Sequence, residues 1–173
     1  MEAASYRLDS GKLAIEFRQS NGKLTLARLA DSTGANWLRD GNDHPFWRVA
    51  FAGPEGAGAE SSSATATPAD VRERLDSLEI DWHVPLGEGE SVITLGVRCP
   101  EGGALSYWSI RAKLPDDWRV ARVDLPCVGK IPSEDRLKFC APAGWGLEYD
   151  VKPGAGYTGT YPSCLAAMQF CAF

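Results

Sequence analysis

The sequence predicts an all-β antiparallel sandwich, on three observations. Apolar and polar residues alternate through short runs such as Lys12–Arg18 and Leu78–Val84, the period of half-buried strands. Turn residues (Gly, Pro, Asn, Asp) separate these runs at short intervals. No stretch carries the 3.6-residue apolar period of an amphipathic helix, so nothing in the pattern calls for helical layers.

The elements follow in order. Leu13, Ile15 and Phe17 alternate with Lys12, Ala14, Glu16 and Arg18. Asn21-Gly22 comes next, a two-residue hairpin signal because both central residues of a type I′ turn need positive φ. Lys23–Ala30 then returns. That loop sets Phe17 opposite Leu26 and Gln19 opposite Leu24, with Leu13, Ile15, Phe17, Leu24 and Leu26 on one face. Asp31-Ser32-Thr33-Gly34 is turn chemistry. Asn36-Trp37-Leu38 is a short segment passing beneath a sheet, and Arg39–His44 a polar loop. Pro45–Phe51 is a strand bearing Phe46, Trp47, Val49 and Phe51. Residues 52–70 are small and polar almost throughout and read as a flexible internal loop. The 51 residues before it are too few to bury a core alone, so it is not a domain boundary.

Val71–Leu75 is ambiguous. Leu78, Ile80, Trp82 and Val84 alternate with Glu79, Asp81 and His83 in a one-sided strand that leaves His83 on the polar face. Gly87–Glu90 turns the chain. Ser91–Cys99 and Ala104–Leu114 are strands about a Pro100–Gly103 turn, and Trp118–Leu125 follows a Pro115-Asp116-Asp117 turn. Arg136–Cys140 resumes as a strand. Leu165–Phe173 has helix-forming residues, but its context favours a strand covered on both faces. No internal repeat is present. The 173 residues read as one sandwich domain, incomplete at its C-terminus because the chain stops on an apolar run.

Composition narrows the function classes. A net charge of −5 argues against nucleic acid, which selects basic faces. No run is apolar enough for a membrane span, and Met1–Ser5 lacks the features of a signal peptide, so the expected location is cytoplasmic. Cysteines at 99, 127, 140, 164 and 171 form no metal-ligand spacing, and only two histidines accompany them. Buried free thiols, no metal and no cofactor are expected. Neither a phosphate-binding Gly-Lys-Ser/Thr loop nor a Gly-x-Ser-x-Gly nucleophile elbow occurs. Asp40, Asp43 and His44 read as a solvated turn. Glu148 and Asp150, or Asp116 and Asp117, are the close carboxylate pairs a glycosidase could use. With 23 acidic residues in the chain such pairs arise readily, and an exposed strand face is the plainer reading.

Aromatic residues are more informative. Sugar rings stack their C–H faces on aromatic rings while polar groups read the hydroxyls. Trp145 lies between two glycines, and Tyr157 and Tyr161 lie in a Gly-rich stretch. With Glu148 and Asp150 they form the candidate carbohydrate-binding set. Trp37, Trp47, Trp82 and Trp108 sit in strand patterns and are assigned to the core.

The order of these features resembles a known family. The stretch KLAIEFRQSNGKLTLARLADSTGANWL is similar to the opening strands of the galactose-mutarotase-like supersandwich domain that precedes the catalytic barrel of several glycoside hydrolases. LSYWSIRAKLPDDWRVARVDLPCVGKI resembles its pattern of a Trp-bearing strand followed by a strand ending in Leu-Pro. APAGWGLEYD and YTGTYPSCLAAMQFCAF resemble the passage toward the barrel, in a bacterial glycosidase-like group distantly similar to endo-α-N-acetylgalactosaminidases. The resemblance implies a non-catalytic N-terminal domain that supports a missing barrel and walls its substrate cleft, with Trp145 and Tyr161 nearest the junction. No catalytic residue carries over. A free-standing carbohydrate-binding module is the alternative. An aldose epimerase is a weaker one, since His44 and His83 fall in a loop and on a polar face. The expected partners are carbohydrate, the missing catalytic domain, or a second copy of the chain through the terminal strand.

Overall fold

A computed structural model describes residues 4–38 and 44–128, and the strands at 138–141 and 147–150. The chain divides into two compact units, Met1–Ile131 and Pro132–Phe173. The first is an all-β antiparallel sandwich of three sheets with one core. Its strands are β1 (Ala4–Asp9), β2 (Leu13–Ser20), β3 (Lys23–Asp31), β4 (Arg48–Ala52), β5 (Gly58–Ser62), β6 (Pro68–Glu73), β7 (Ser77–Leu86), β8 (Gly89–Arg98), β9 (Tyr107–Lys113) and β10 (Arg119–Asp124). They pair in the orders β1-β2-β3, β10-β4-β5 and β6-β7-β8-β9. In the second unit, β11 (Lys138–Ala141) pairs antiparallel with β12 (Leu147–Asp150).

The β2–β3 hairpin forms in the register that its turn dictates. Asn21 and Gly22 take φ of 52° and 74°, and Phe17 faces Leu26 while Gln19 faces Leu24. A bulge between Glu16 and Phe17 then shifts the pairing, so that Ile15 meets Leu29 and Glu16 meets Arg28. One extra residue on β3 thereby places an apolar partner, not an arginine, beside Ile15. Strand β1, which the sequence reading passed over, pairs along β2 from Ala4 opposite Gln19 to Asp9 opposite Ala14. Its Leu8 is buried, and Tyr6 packs against the core.

All three sheets contribute to one apolar cluster. At its centre runs a chain of rings. Trp108 meets Phe17 at 5.8 Å between centroids, and Phe17 meets Phe46 at 5.2 Å. Phe46 in turn meets Trp82 at 6.0 Å, and Trp82 meets Trp47 at 5.2 Å, mostly edge-on or tilted. Such pairs add about 0.5–1.5 kcal/mol each beyond the area they bury. The indole N–H groups of Trp47 and Trp82 are buried without a conventional acceptor. The two rings meet edge to face, at an interplanar angle of 70°.

Three expectations need correction. Residues 52–70 are not simply a loop: a 3₁₀ turn (Pro54–Gly56) leads into β5, which pairs with β4 along its full length, and β6 starts at Pro68. Small side chains conceal the strand because Ser61, Ser62 and Ser63 are buried without being apolar. Local hydrogen bonds make that burial tolerable. The Ser63 hydroxyl accepts the Phe46 N–H at 2.9 Å, and the Ser62 N–H donates to Thr65 Oγ1 at 3.1 Å. Second, Trp37 is 44% exposed; its neighbour Leu38 turns inward instead. Asn36 fixes that choice, its side-chain oxygen accepting the N–H groups of Leu29 and Leu38. Third, Phe46 and Trp47 are buried but precede β4, which begins only at Arg48. The expected strand at Leu165–Phe173 lies outside the described residues.

Two contacts close the ends of the sandwich. The Ser10 hydroxyl donates to the Gly103 carbonyl at 2.5 Å, and the Gly102 N–H donates to the Ser10 carbonyl at 2.8 Å, joining the β1–β2 turn to the β8–β9 connection. Elsewhere the Trp118 indole lies over Gly53 and Gly87. A Cβ added at Gly53 would come within 2.8 Å of that ring, and one at Gly87 within 3.3 Å.

Two substitutions test this packing. Phe46→Ala removes the ring shared by Phe17 and Trp82, and is expected to cost about 3–5 kcal/mol in urea unfolding. Gly53 has φ of −108°, which alanine adopts without strain. A loss of about 1–3 kcal/mol in Gly53→Ala would therefore report overpacking against Trp118 alone.

Candidate functional site

The two central strands of the four-stranded sheet separate its two faces by alternation. Leu78, Ile80, Trp82, Val84 and Leu86 of β7 and Ile93, Leu95 and Val97 of β8 point into the core. The intervening residues form the outer face. The register brings Arg72 beside Glu79, Glu79 beside Gly96, Gly96 beside Ser109, and Arg98 beside Tyr107.

Charge on this face is tightly organised. Arg72 donates to Asp81 Oδ2 at 2.8 Å and to Asp70, and its Nε lies 3.6 Å from Glu79. The other Glu79 oxygen accepts from Arg111. Thr94 Oγ1 donates to the second Asp81 oxygen at 2.7 Å, and Arg98 Nε donates to Asp76 at 2.8 Å. The Arg72 guanidinium, then the Thr94 hydroxyl, holds the Asp81 carboxyl below the usual carboxylate range against the opposing effect of burial. The Arg98 hydrogen bond does the same for Asp76. Asp81 in turn raises the pKa of Arg72.

A groove of about 430 Å³ opens on this face. Its walls include Arg72, Arg74, Glu79, Arg98, Tyr107 and Ser109. Gly96 makes the floor low: a Cβ there would fall 2.7 Å from Ser109 Oγ. Tyr107, 60% exposed, presents its ring at the rim. Trp108, also at the groove, turns its ring inward against Phe17. The arrangement offers an aromatic surface, hydroxyl and guanidinium donors and a carboxylate, all over a floor without a side chain. It can bind a polar ligand with an apolar face; among the described residues it presents no nucleophile–base pair.

No protein-family model, curated protein or solved structure matches the chain. The resemblance to galactose-mutarotase-like domains therefore rests on the stretches quoted above.

None of the residues singled out from the sequence as sugar-binding is among the described residues of the groove walls. Trp145, Tyr157 and Tyr161 fall outside the described residues, as do Asp40 and Asp43. Glu148 and Asp150 lie two positions apart in β12, opposite Cys140 and Lys138. Asp116 and Asp117 are exposed in a turn, where Asp117 takes φ of 68°. His83 is exposed and pairs with Glu90 through Nδ1 at 2.8 Å, as expected of a polar strand face. Cys99 is a buried free thiol and Cys127 a half-buried one, and burial raises the pKa of both. Among the described residues no group of three or more His, Cys, Asp or Glu could hold a metal ion, and no helix is long and apolar enough to cross a membrane. The groove itself escaped the sequence reading. Its one local signal is Gly96 within Val92-Ile93-Thr94-Leu95-Gly96-Val97, since glycine inside such a strand marks close approach.

The ion network predicts an acid response. Asp81 and Asp76 have folded-state pKa values below their unfolded ones, so the stability they contribute is present above the unfolded pKa, about 3.9. It is lost as pH falls through the folded values. Asp81→Asn should lower the melting temperature at neutral pH, and the deficit should shrink as the pH falls below the unfolded value, as read from melting curves across pH.

Proposed function

We propose that this chain is a non-catalytic, galactose-mutarotase-like sandwich module of a carbohydrate-active enzyme, one that holds saccharide and leaves bond cleavage to another domain. The observation that carries this reading is the groove over Gly96. A ring at its rim, a low floor and a border of hydrogen-bonding side chains are the features by which a protein surface grips a pyranose. Its volume suits one or two sugar rings, within the ~300–1,000 Å³ typical of small-molecule sites. The ordered stretches quoted from the sequence add the link to glycoside hydrolases. A free-standing carbohydrate-binding module would use the same groove, and the groove favours binding as its role in either case.

Two measurements test the proposal. Pure protein should show no turnover of aryl glycosides, and measurable hydrolysis would refute the non-catalytic assignment. Oligosaccharides should bind, as followed by tryptophan fluorescence or calorimetry. Gly96→Val should abolish that binding while keeping the fold, because the short Ser109 side chain can rotate away but the floor is filled. Failure of every oligosaccharide to bind would overturn the saccharide reading.

A further inference from the structure

We infer that the groove selects an anionic saccharide, a pyranose that carries a carboxylate. This rests on the saccharide reading above and adds the charge of the ligand. The argument is an inventory of donors and acceptors at the groove.

Both oxygens of Glu79, the groove's carboxylate, already face cations: one accepts from Arg111 and the other lies beside Arg72. Arg72 is engaged in the same way by Asp70 and Asp81. The remaining two guanidinium groups differ. Arg98 spends only its Nε on Asp76, so its Nη1 and Nη2 have no partner among the described residues. The Arg74 side chain has no hydrogen bond or ion pair at all among the described residues, and it is exposed. The groove therefore keeps a surplus of charged N–H donors and no free carboxylate, within a chain whose net charge is −5. A ligand that completes this set brings acceptors with negative charge. The planar guanidinium fork matches a carboxylate in geometry as well as in sign. Tyr107, opposite Arg98 in the sheet register, places the ring surface next to that guanidinium, and Arg74 lines the same groove. A pyranose stacked on Tyr107 would thus present its ring carboxylate to Arg98 and Arg74.

The test is calorimetry on the full chain at low salt, where surface charge is least screened. The probes are a uronic acid disaccharide, the methyl ester of the same disaccharide, and inorganic sulfate. The acid should bind about tenfold more tightly than the ester, the scale of one charge-assisted contact. Arg74→Gln should reduce that preference to about twofold, by the same scale. Tyr107→Ala should weaken acid and ester alike. Equal affinity for acid and ester would overturn the charge assignment and leave a neutral-saccharide site standing. Binding of neither would remove both proposals. Sulfate that displaces the acid with equal affinity would show a bare anion site and refute the saccharide part.

Discussion

The sandwich depends on a chain of aromatic rings through its centre. Phe17 comes from β2, Phe46 and Trp47 from the segment before β4, Trp82 from β7 and Trp108 from β9. Each of the three sheets thus places a ring, or the ring just before its strand, against another sheet's. An antiparallel sheet with one apolar face cannot stay in water alone. Here three small sheets solve that problem together, since none is large enough to form an independent core. Large rings suit the role because they bury much area with few rotatable bonds and prefer a narrow range of tilted contacts.

Burial on one face of β7 and β8 frees the other face for charge. Alternation along β7 sends Ile80 and Trp82 inward and Glu79 and Asp81 outward without any further design. The outer residues then pair across strands through Arg72, Arg98 and Arg111. Exposed pairs of this kind contribute little singly, about 0–1 kcal/mol each. Their larger effect is positional. They tie Arg72 and Arg98, two of the groove's walls, to carboxylates on this face.

How much of this was legible in sequence depended on what each element is made of. The β2–β3 hairpin was readable to the register because Asn21-Gly22 fixes the turn and Phe17 and Leu26 fix the face. Strand β7 was readable because its inner residues are large and its outer ones charged. Strand β5 was hidden, since Ser61 and Ser62 are buried polar residues and carry no hydrophobic period. The bulge beside Phe17 was hidden too, because one extra residue leaves no mark in composition. The all-β class was plain from alternation and turns. The groove was not, because Arg74, Arg98 and Tyr107 are distant in sequence and only the pairing of β6 through β9 gathers them. Reading by local density of aromatics pointed to Trp145, Tyr157 and Tyr161, which lie outside the described residues.

The indole of Trp118 bears on how the molecule breathes. It covers Gly53 after β4 and Gly87 in the β7–β8 turn, and it sits at the entry to β10. Three connections that are separate in sequence therefore share a single lid. Opening of any one of them removes packing that the ring shares with the other two. Amide hydrogens in these loops should exchange with one common opening free energy, as a cooperative unit, although loops of this length would ordinarily exchange independently.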